Sequence, residues 1–240
     1  MSDVIITLAE RPPEAPRSDF AFYIDFKKGE GSPSRVFSAT HDFIKACERV
    51  DRELVRAVDS NIEAVLMLED IEAASLKTWL RNALTASDDQ AIKELDWKPL
   101  VGKYLVRAKY AILRWIDTDT APRSLPQLAR EIQQIAADTD VRHMPDYAAP
   151  SAQTLITAIK DFQAVKDILA SGDRASYISA EGELELKLNM RWSIEDIEAL
   201  AVSRTLESPP SPMILAVKKP DYLGASQWDF RLGRRTVQAK

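Results

Sequence analysis

The sequence predicts an α+β fold, in which a small sheet is covered by a long amphipathic helix and followed by a helical middle segment and a β-rich C-terminal module. Three patterns predict this class. Phe20–Phe26 is rich in aromatic and other β-forming residues, Pro33–Val58 repeats apolar residues at steps of three and four, and Glu183–Met190 alternates polar and apolar residues. We place a boundary after residue 170, which gives an α+β domain at 1–170 and a β-rich module at 171–240.

The composition is that of an ordinary globular protein and excludes disordered and collagen-like chains. Of 240 residues, 45% are hydrophobic and 29% are charged, and the net charge is −5. The single cysteine, Cys47, excludes a disulfide framework and a cysteine-rich zinc module, and two histidines leave little material for metal or proton chemistry. We therefore expect no metal ion, no cofactor and no catalytic residues, and we favour a protein that is not an enzyme.

The N-terminus and the hydropathy bear on the compartment. The N-terminal apolar run is short and has no basic residue before it, so it is not a secretory signal. No run of roughly 18 apolar residues, the length of a membrane-spanning helix, occurs in the chain. With a lone thiol that fits a reducing compartment, these features predict a cytoplasmic protein that does not associate with membranes.

Turn and cap residues delimit the N-terminal elements. Val4–Leu8 is a short β-branched run, and a proline-rich loop separates it from the predicted strand Phe20–Phe26. Ser32 and Pro33 fit an N-cap and a first helical residue, so the long helix should begin there. The positions predicted to face the core are Phe37, Phe43, Ile44, Cys47, Val50, Leu54 and Val58.

The segment after the long helix combines an apolar run with carboxylates. Ile62–Leu68 predicts a buried strand. Ser75–Leu80 is either the second arm of a hairpin or part of a helix that starts at Ala73, and we favour the hairpin. The nearby carboxylates are interpreted as a solvated strand end in preference to a catalytic or Mg²⁺-binding pair, because charged residues are rare in cores. They are Glu63, Glu69, Asp70 and Glu72.

Four helices are predicted in the middle of the chain, two of them from a capping box in which glutamine follows serine by three residues. The helices are Ser87–Leu95, Val101–Ile116, Ser124–Ala137 and Ser151–Leu169, with a proline-containing loop at 138–150. The second helix carries a basic stripe, which we interpret as a solvated face in preference to a surface for an acidic partner or nucleic acid. The stripe is Lys103, Arg107, Tyr110 and Arg114.

Strands dominate the C-terminal part of the prediction. They are Tyr177–Ser179, Glu183–Met190, Met213–Lys218, Gln227–Leu232 and Arg234–Ala239, with a short helix at Ile194–Ala201 capped by Ser193. The last strand reaches the end of the chain, where an unfinished ladder would expose an unpaired edge. We expect either that this strand is a completed edge or that the chain is a fragment of a longer protein.

A glycine-containing loop between the first strand and the long helix is a candidate phosphate site. Backbone N–H groups in such a loop and a helix N-terminus can bind phosphate, and Lys28 adds positive charge beside Gly29 and Gly31. However, the third glycine of a dinucleotide fingerprint is missing, as is the Gly-Lys-Ser/Thr of a P-loop. We prefer the alternative, a loop chosen for its turn geometry.

The last thirty residues are the main candidate for binding. From Ser211 onward the net charge is +4, whereas the first 210 residues carry −9. Basic strands with interleaved aromatic residues suit single-stranded nucleic acid, where bases stack and phosphates pair, and they equally suit an acidic protein surface. The residues predicted to bind a partner are Lys218, Lys219, Tyr222, Trp228, Arg231, Arg234 and Arg235.

Two stretches of the chain carry a family resemblance. Met213–Lys240 resembles the C-terminal module of a family of bacterial proteins, and residues 22–37 with 68–84 are similar to the N-terminal part of the same group. That group has no established activity, so the resemblance implies no site residues. It implies a bacterial system, such as one of mobile elements or phage defence, and a chain that continues beyond Lys240.

Together these patterns favour a non-enzymatic interaction or adaptor protein whose partner is another protein. The alternative is a nucleic-acid-binding module that uses the basic, aromatic C-terminal strands. Neither the identity of the partner nor the oligomeric state follows from the sequence.

Overall fold

A computed structural model describes residues 18–29, 31–72, 76–86, 96–117, 124–144, 146–190, 192–193 and 195–197, and the backbone of 216–219, 228–232 and 235–239. The helices are α1 (Ser34–Val58), α2 (Trp97–Ile116), α3 (Leu125–Asp138) and α4 (Ala152–Ile168), with one 3-10 turn at Val141–His143. The strands are β1 (Phe20–Asp25), β2 (Ile62–Glu72), β3 (Leu76–Ala86), β4 (Arg174–Ser179), β5 (Gly182–Leu186), β6 (Ala216–Lys219), β7 (Trp228–Leu232) and β8 (Arg235–Ala239). The α+β class is as predicted. The predicted strand Val4–Leu8 and helix Ser87–Leu95 lie outside the described residues.

The first sheet has five antiparallel strands in the order β2-β3-β1-β4-β5. The predicted hairpin is present, with β2 and β3 as its two arms. The central strand β1 pairs Phe20 with Leu80 of β3 on one side and with Ser179 of β4 on the other. Because β4 and β5 follow residue 171 and belong to this sheet, the boundary proposed after residue 170 passes through one sheet. The predicted division into a domain at 1–170 and a module at 171–240 stays a prediction.

Aromatic side chains join the first sheet to the helices. Phe20, Phe22 and Ile24 alternate along β1 and are all buried. The ring of Phe43 in α1 stacks on Phe22 with centroids 3.9 Å apart and an interplanar angle of 6°. We call this side of the sheet the helix-bearing face and the opposite side the outer face. The helix-bearing face therefore supplies the core of the protein.

The start of α1 differs from the prediction in two details. Pro33 occupies the N-cap position and the helix begins at Ser34. No side chain caps a backbone N–H there, and the hydroxyl of Ser32 is hydrogen-bonded to that of Ser34 (2.6 Å). Phe37, predicted to face the core, is 66% exposed. It follows the buried Val36 by one residue, and one residue rotates a helical position by about 100°.

The other caps are as predicted. Ser124 and Gln127 form a capping box at the start of α3, and the Ser151 hydroxyl accepts the Thr154 N–H (3.1 Å) at the start of α4. Within the described part of the chain, no helix is long and apolar enough to cross a membrane.

Two buried ion pairs cross-link the helical layer. Lys109 of α2 donates to Asp51 of α1, and Lys166 of α4 donates to Asp117 at the end of α2. All four side chains are nearly inaccessible to solvent. Asp51, which is not among the positions of α1 predicted to face the core, is therefore a core residue. Burial raises the pKa of both carboxyl groups, although the lysines oppose this shift.

The second sheet has three antiparallel strands in the order β6-β7-β8. Its three strands coincide with those predicted after residue 211. Val217, Phe230 and Val237 occupy one row of the register, and the neighbouring row contains Arg231 and Thr236. Because successive residues of a strand lie on opposite faces, these two rows belong to opposite faces of the sheet.

Candidate interaction surface

The edge strand β2 carries most of the exposed apolar surface that the structure describes. Ile62 is buried, but Val65, Met67, Leu68 and Ile71 are 56%, 43%, 54% and 50% exposed. Phe37 is the fifth large apolar residue that is exposed among the described residues. Ala64 and Leu66 are partly buried against the core, so the strand Ile62–Leu68 is half-buried and the prediction of a buried strand is wrong. Among the described strands, β2 has a neighbour on one side alone.

The four exposed residues lie on both faces of β2. Val65 and Met67 are paired with Ala83 and Arg81 on the outer face, where the alternation along β3 places them. Leu68 is paired with the buried Leu80 on the helix-bearing face. Between Leu68 and Asp70 the register shifts by one residue, and Ile71 then lies on the helix-bearing face opposite Thr78. The strand therefore presents apolar side chains to either side of its free edge. The surface formed by these four residues and the free edge is called the β2 edge below.

No described strand pairs with the backbone of β2 along the same edge. The Asp19 N–H donates to the Leu80 carbonyl (2.9 Å) and the Asn82 N–H donates to the Asp19 carboxylate (2.7 Å), so the even-numbered residues of β3 direct their backbone groups toward β1. Ala64 pairs with one of these residues, Leu84. Ala64 and Leu84 therefore form a non-hydrogen-bonded pair, in which the N–H and C=O groups of each residue point away from the partner strand. The backbone groups of Ala64, and by alternation those of Leu66, are therefore directed away from the sheet.

The charge of β2 is entirely acidic. Its carboxylates are Glu63, Glu69, Asp70 and Glu72, and it has no basic residue. Glu69 accepts from Arg81 (2.5 Å) and Glu72 accepts from the Trp79 indole N–H (2.7 Å), which ties these two to β3. Glu63 and Asp70 are exposed. Such charges together with the register shift are the devices by which edge strands resist pairing with copies of themselves.

The glycine loop that we considered as a phosphate site surrounds a carboxylate of the protein itself. Arg35 donates to Asp173 through Nε (3.0 Å) and Nη2 (2.9 Å), and the backbone N–H groups of Lys27 (3.2 Å) and Ala170 (2.9 Å) donate to the same carboxylate. Burial opposes ionisation of Asp173, but these hydrogen bonds outweigh it and lower its pKa. Arg35 and the Lys27 N–H, which lie on either side of the loop, thus already bind an anion.

The conformation of the loop explains its glycines without a ligand. Gly29 and Gly31 have φ angles of +83° and +64°, which glycine adopts without the penalty that a Cβ carries. Lys28 is exposed beside them. The geometry agrees with the turn interpretation, and phosphate binding stays an untested hypothesis.

The C-terminal residues predicted to bind a partner are separated by the register. Trp228 and Phe230 are two residues apart in β7 and share one face, whereas Arg231 lies in the row of the opposite face. Lys219 is paired with Asp229 on that same opposite face, and Lys218 lies at the shift in register. Arg235 is paired with Leu232, on the face of the aromatic residues. Tyr222 and Arg234 lie outside the described residues.

Potential nucleophiles and metal ligands are few. Cys47 is fully buried, and burial raises the pKa of its thiol well above the ordinary value, which keeps it protonated and unreactive. His41 is exposed on α1. Across the described ranges, no three His, Cys, Asp or Glu residues lie close enough together to hold a metal ion.

No family model, no curated protein and no solved structure matches this chain. The resemblance of Met213–Lys240 to a bacterial family therefore stays an expectation from the sequence. The arguments about function rest on the geometry of the described residues.

Proposed function

We propose that the protein is a cytoplasmic, non-enzymatic interaction protein that binds an extended segment of a partner protein along the β2 edge. The observation that supports this proposal is the coincidence of four half-exposed apolar side chains with outward-directed backbone groups on one edge strand. Strand addition uses these two features together, since main-chain hydrogen bonds supply affinity and alternate side chains supply specificity.

The partner segment should be basic and apolar. The exposed carboxylates Glu63 and Asp70 attract lysine and arginine of an added strand, and the exposed apolar residues of β2 require apolar partners. Two β2 strands paired with each other would bring two such acidic sets together, which disfavours a dimer through this edge. The proposal therefore commits to a different protein as the occupant.

The contribution of the apolar residues follows from their exposure. Complete burial of a Val, Leu, Ile or Met side chain is worth roughly 1.5–3 kcal/mol. Because about half of each side chain is already covered, each would contribute about 1 kcal/mol on binding. Loss of Val65 and Met67 together should therefore cost about 2 kcal/mol, or about 30-fold in Kd.

A peptide probe tests the proposal without knowledge of the natural partner. The probe is a labelled nine-residue peptide that alternates lysine and valine, and fluorescence anisotropy measures its Kd. We expect saturable binding that weakens about 30-fold in Val65→Ser/Met67→Ser and is unchanged in Phe37→Ser, which removes an equally exposed apolar residue outside β2. A matching peptide of glutamate and valine should bind far more weakly.

Two results would contradict the proposal. One is equal binding of the acidic and basic peptides, because the charge of β2 would then have no role. The other is a Phe37→Ser variant that loses affinity as strongly as Val65→Ser/Met67→Ser. If light scattering finds a dimer of the wild type that dissociates in Val65→Ser/Met67→Ser, the occupant of the β2 edge is a second copy of this chain and not a different protein.

Binding of single-stranded nucleic acid by the C-terminal strands is the second candidate. The charge of +4 after residue 210 favours it. The register restricts its form, because Lys219 and Arg231 share a face that holds neither Trp228 nor Phe230. Contacts to phosphates are therefore favoured over base stacking, and we expect weak oligonucleotide binding with a steep salt dependence that is lost in Lys219→Ala/Arg231→Ala. Binding that resists salt would contradict this candidate.

A further inference from the structure

A groove lies on the opposite side of β3 from the β2 edge. It has a volume of about 700 Å³ and is lined by Ser18 and Asp19 before β1, the second half of β3, the first half of α2 and the turn between β4 and β5. A volume in this range accommodates a ligand of several residues or a small molecule. Nothing in the proposed function uses this groove.

The groove contains a buried carboxamide with no partner. Asn82 is 8% exposed and lines the groove, and neither its Oδ1 nor its Nδ2 has a hydrogen-bond partner. Its own backbone N–H is satisfied by Asp19 (2.7 Å). A buried polar group without a partner is costly, and nearly all such groups in folded proteins are paired. A carboxamide offers donor N–H groups on Nδ2 and an acceptor oxygen, Oδ1, which together complement the C=O and N–H of a peptide group.

The backbone along the groove is that of an unpaired strand. Pairing between β1 and β3 ends at Phe20 and Leu80, although β3 continues to Ala86. Leu84 directs its N–H and C=O to the same side as Leu80 and Asn82, because these groups alternate along a strand. In the described part of the chain, no strand pairs with that side of β3 after Leu80.

Uncompensated positive charge surrounds the opening. Lys98 and Lys103 of α2 line the groove, are exposed and form no ion pair with any described residue. Among the other charged side chains there, Arg81 binds Glu69 (2.5 Å), Arg107 binds Glu181 (3.4 Å), and the carboxylate of Asp19 accepts the backbone N–H of Asn82 (2.7 Å). The two lysines are therefore the groups that remain available to an incoming carboxylate.

We infer that this groove binds an extended acidic peptide segment, added as a short strand beside Asn82 and Leu84. The peptide group facing Asn82 would satisfy its carboxamide, the edge of β3 would supply ladder hydrogen bonds, and Lys98 and Lys103 would pair with acidic side chains. The site is independent of the β2 edge, which carries the opposite charge. A protein with both sites would bind a basic and an acidic segment on the two sides of one hairpin.

The probe is a labelled eight-residue peptide that alternates glutamate and threonine and has blocked ends, with anisotropy as the readout. Asn82→Leu, which replaces the carboxamide by an apolar group of similar volume, should weaken binding at least about tenfold. The melting temperature of this variant should stay the same or rise, because an unpartnered buried carboxamide is removed. A merely structural role for Asn82 would instead lower the melting temperature and leave affinity unchanged.

Charge and backbone are tested separately. Lys98→Glu/Lys103→Glu should weaken binding at least about tenfold, whereas Lys28→Glu/Lys45→Glu changes the net charge equally at exposed positions outside the groove and should leave affinity within about twofold. A peptide N-methylated at alternate residues should fail to bind. Equal binding of the methylated peptide, full affinity in Asn82→Leu, or absence of binding at millimolar peptide would each overturn the inference.

Discussion

The carboxylate of Asp173 offers a direct test of the glycine loop. Its side chain is fully buried and accepts two hydrogen bonds from Arg35 and one each from the N–H groups of Lys27 and Ala170. Asp173→Ala removes the acceptor and leaves Arg35, of which 12% is exposed, without its charge partner. The perturbation therefore breaks an ion pair whose remaining member is largely excluded from water.

Removal of one member of a buried ion pair costs about 3–5 kcal/mol, because the charge that remains is uncompensated. For a chain of this length each kcal/mol lowers the melting temperature by about 2–4 °C. Asp173→Ala should therefore melt about 6–20 °C below the wild type. Asp25→Ala is the control, since it breaks the exposed ion pair with Arg174 and should change little.

Differential scanning calorimetry in the presence and absence of phosphate completes the test. In Asp173→Ala the anion site is vacated, so millimolar phosphate should raise the melting temperature of the variant and leave that of the wild type unchanged. An Asp173→Ala protein as stable as the wild type would refute the stabilising role of this ion pair. Stabilisation of the wild type by phosphate would refute the interpretation that the loop is built for its own carboxylate.

Three further predictions concern stability. Lys109→Met leaves Asp51 buried and unpaired and should cost about 3–5 kcal/mol in urea denaturation, whereas Lys109→Met/Asp51→Leu should recover most of it; equal losses in both variants would contradict the ion-pair account. The pKa of Asp173 in the folded protein lies below its ordinary value, so this carboxylate stabilises the fold fully above about pH 4 and loses that effect as the pH falls through the folded-state pKa. The free energy of unfolding should therefore fall less steeply with decreasing pH in Asp173→Asn than in the wild type. Ser151→Ala removes the cap of α4 and should cost about 1 kcal/mol by denaturant midpoint, while an unchanged midpoint would show that the cap is dispensable.

Local patterns in the sequence predicted local structure well. The spacing of apolar residues in α1, the capping box of α3 and the cap of α4 each depend on residues close together in the sequence, and the structure confirms them. The hairpin was also recovered, because two β-forming runs lie close together in the chain. Phe37 is the exception, since its step of six residues from Phe43 fits an amphipathic pattern only loosely.

Long-range pairing could not be predicted from these patterns. Whether a strand lies at the centre or the edge of a sheet depends on partners distant in sequence, and β1 pairs with β4 about 150 residues further along the chain. An apolar run such as Ile62–Leu68 is typical of a buried strand, so its exposure was missed. The acidic residues around it were the available signal, because charges protect the edges of sheets.

The candidate sites depend on the same long-range placement. Asp173 reaches the glycine loop from a distant turn, and Asn82 lines a groove whose walls come from four parts of the chain. In the C-terminal strands, closeness in sequence does not bring residues to the same surface, since Trp228 and Arg231 lie on opposite faces of a sheet. Interleaving of aromatic and basic residues along a chain does not by itself interleave them on a surface.

Hydrogen exchange of the β2 amides tests the central claim most directly. The N–H groups of Ala64 and Leu66 are directed away from the sheet, whereas those of Val65 and Met67 are directed toward β3 and serve as internal controls. With saturating lysine–valine peptide, exchange at Ala64 and Leu66 should slow markedly and exchange at Val65 and Met67 should change little. Unchanged exchange at Ala64 and Leu66 while the peptide is bound would show that the β2 edge is not the binding surface.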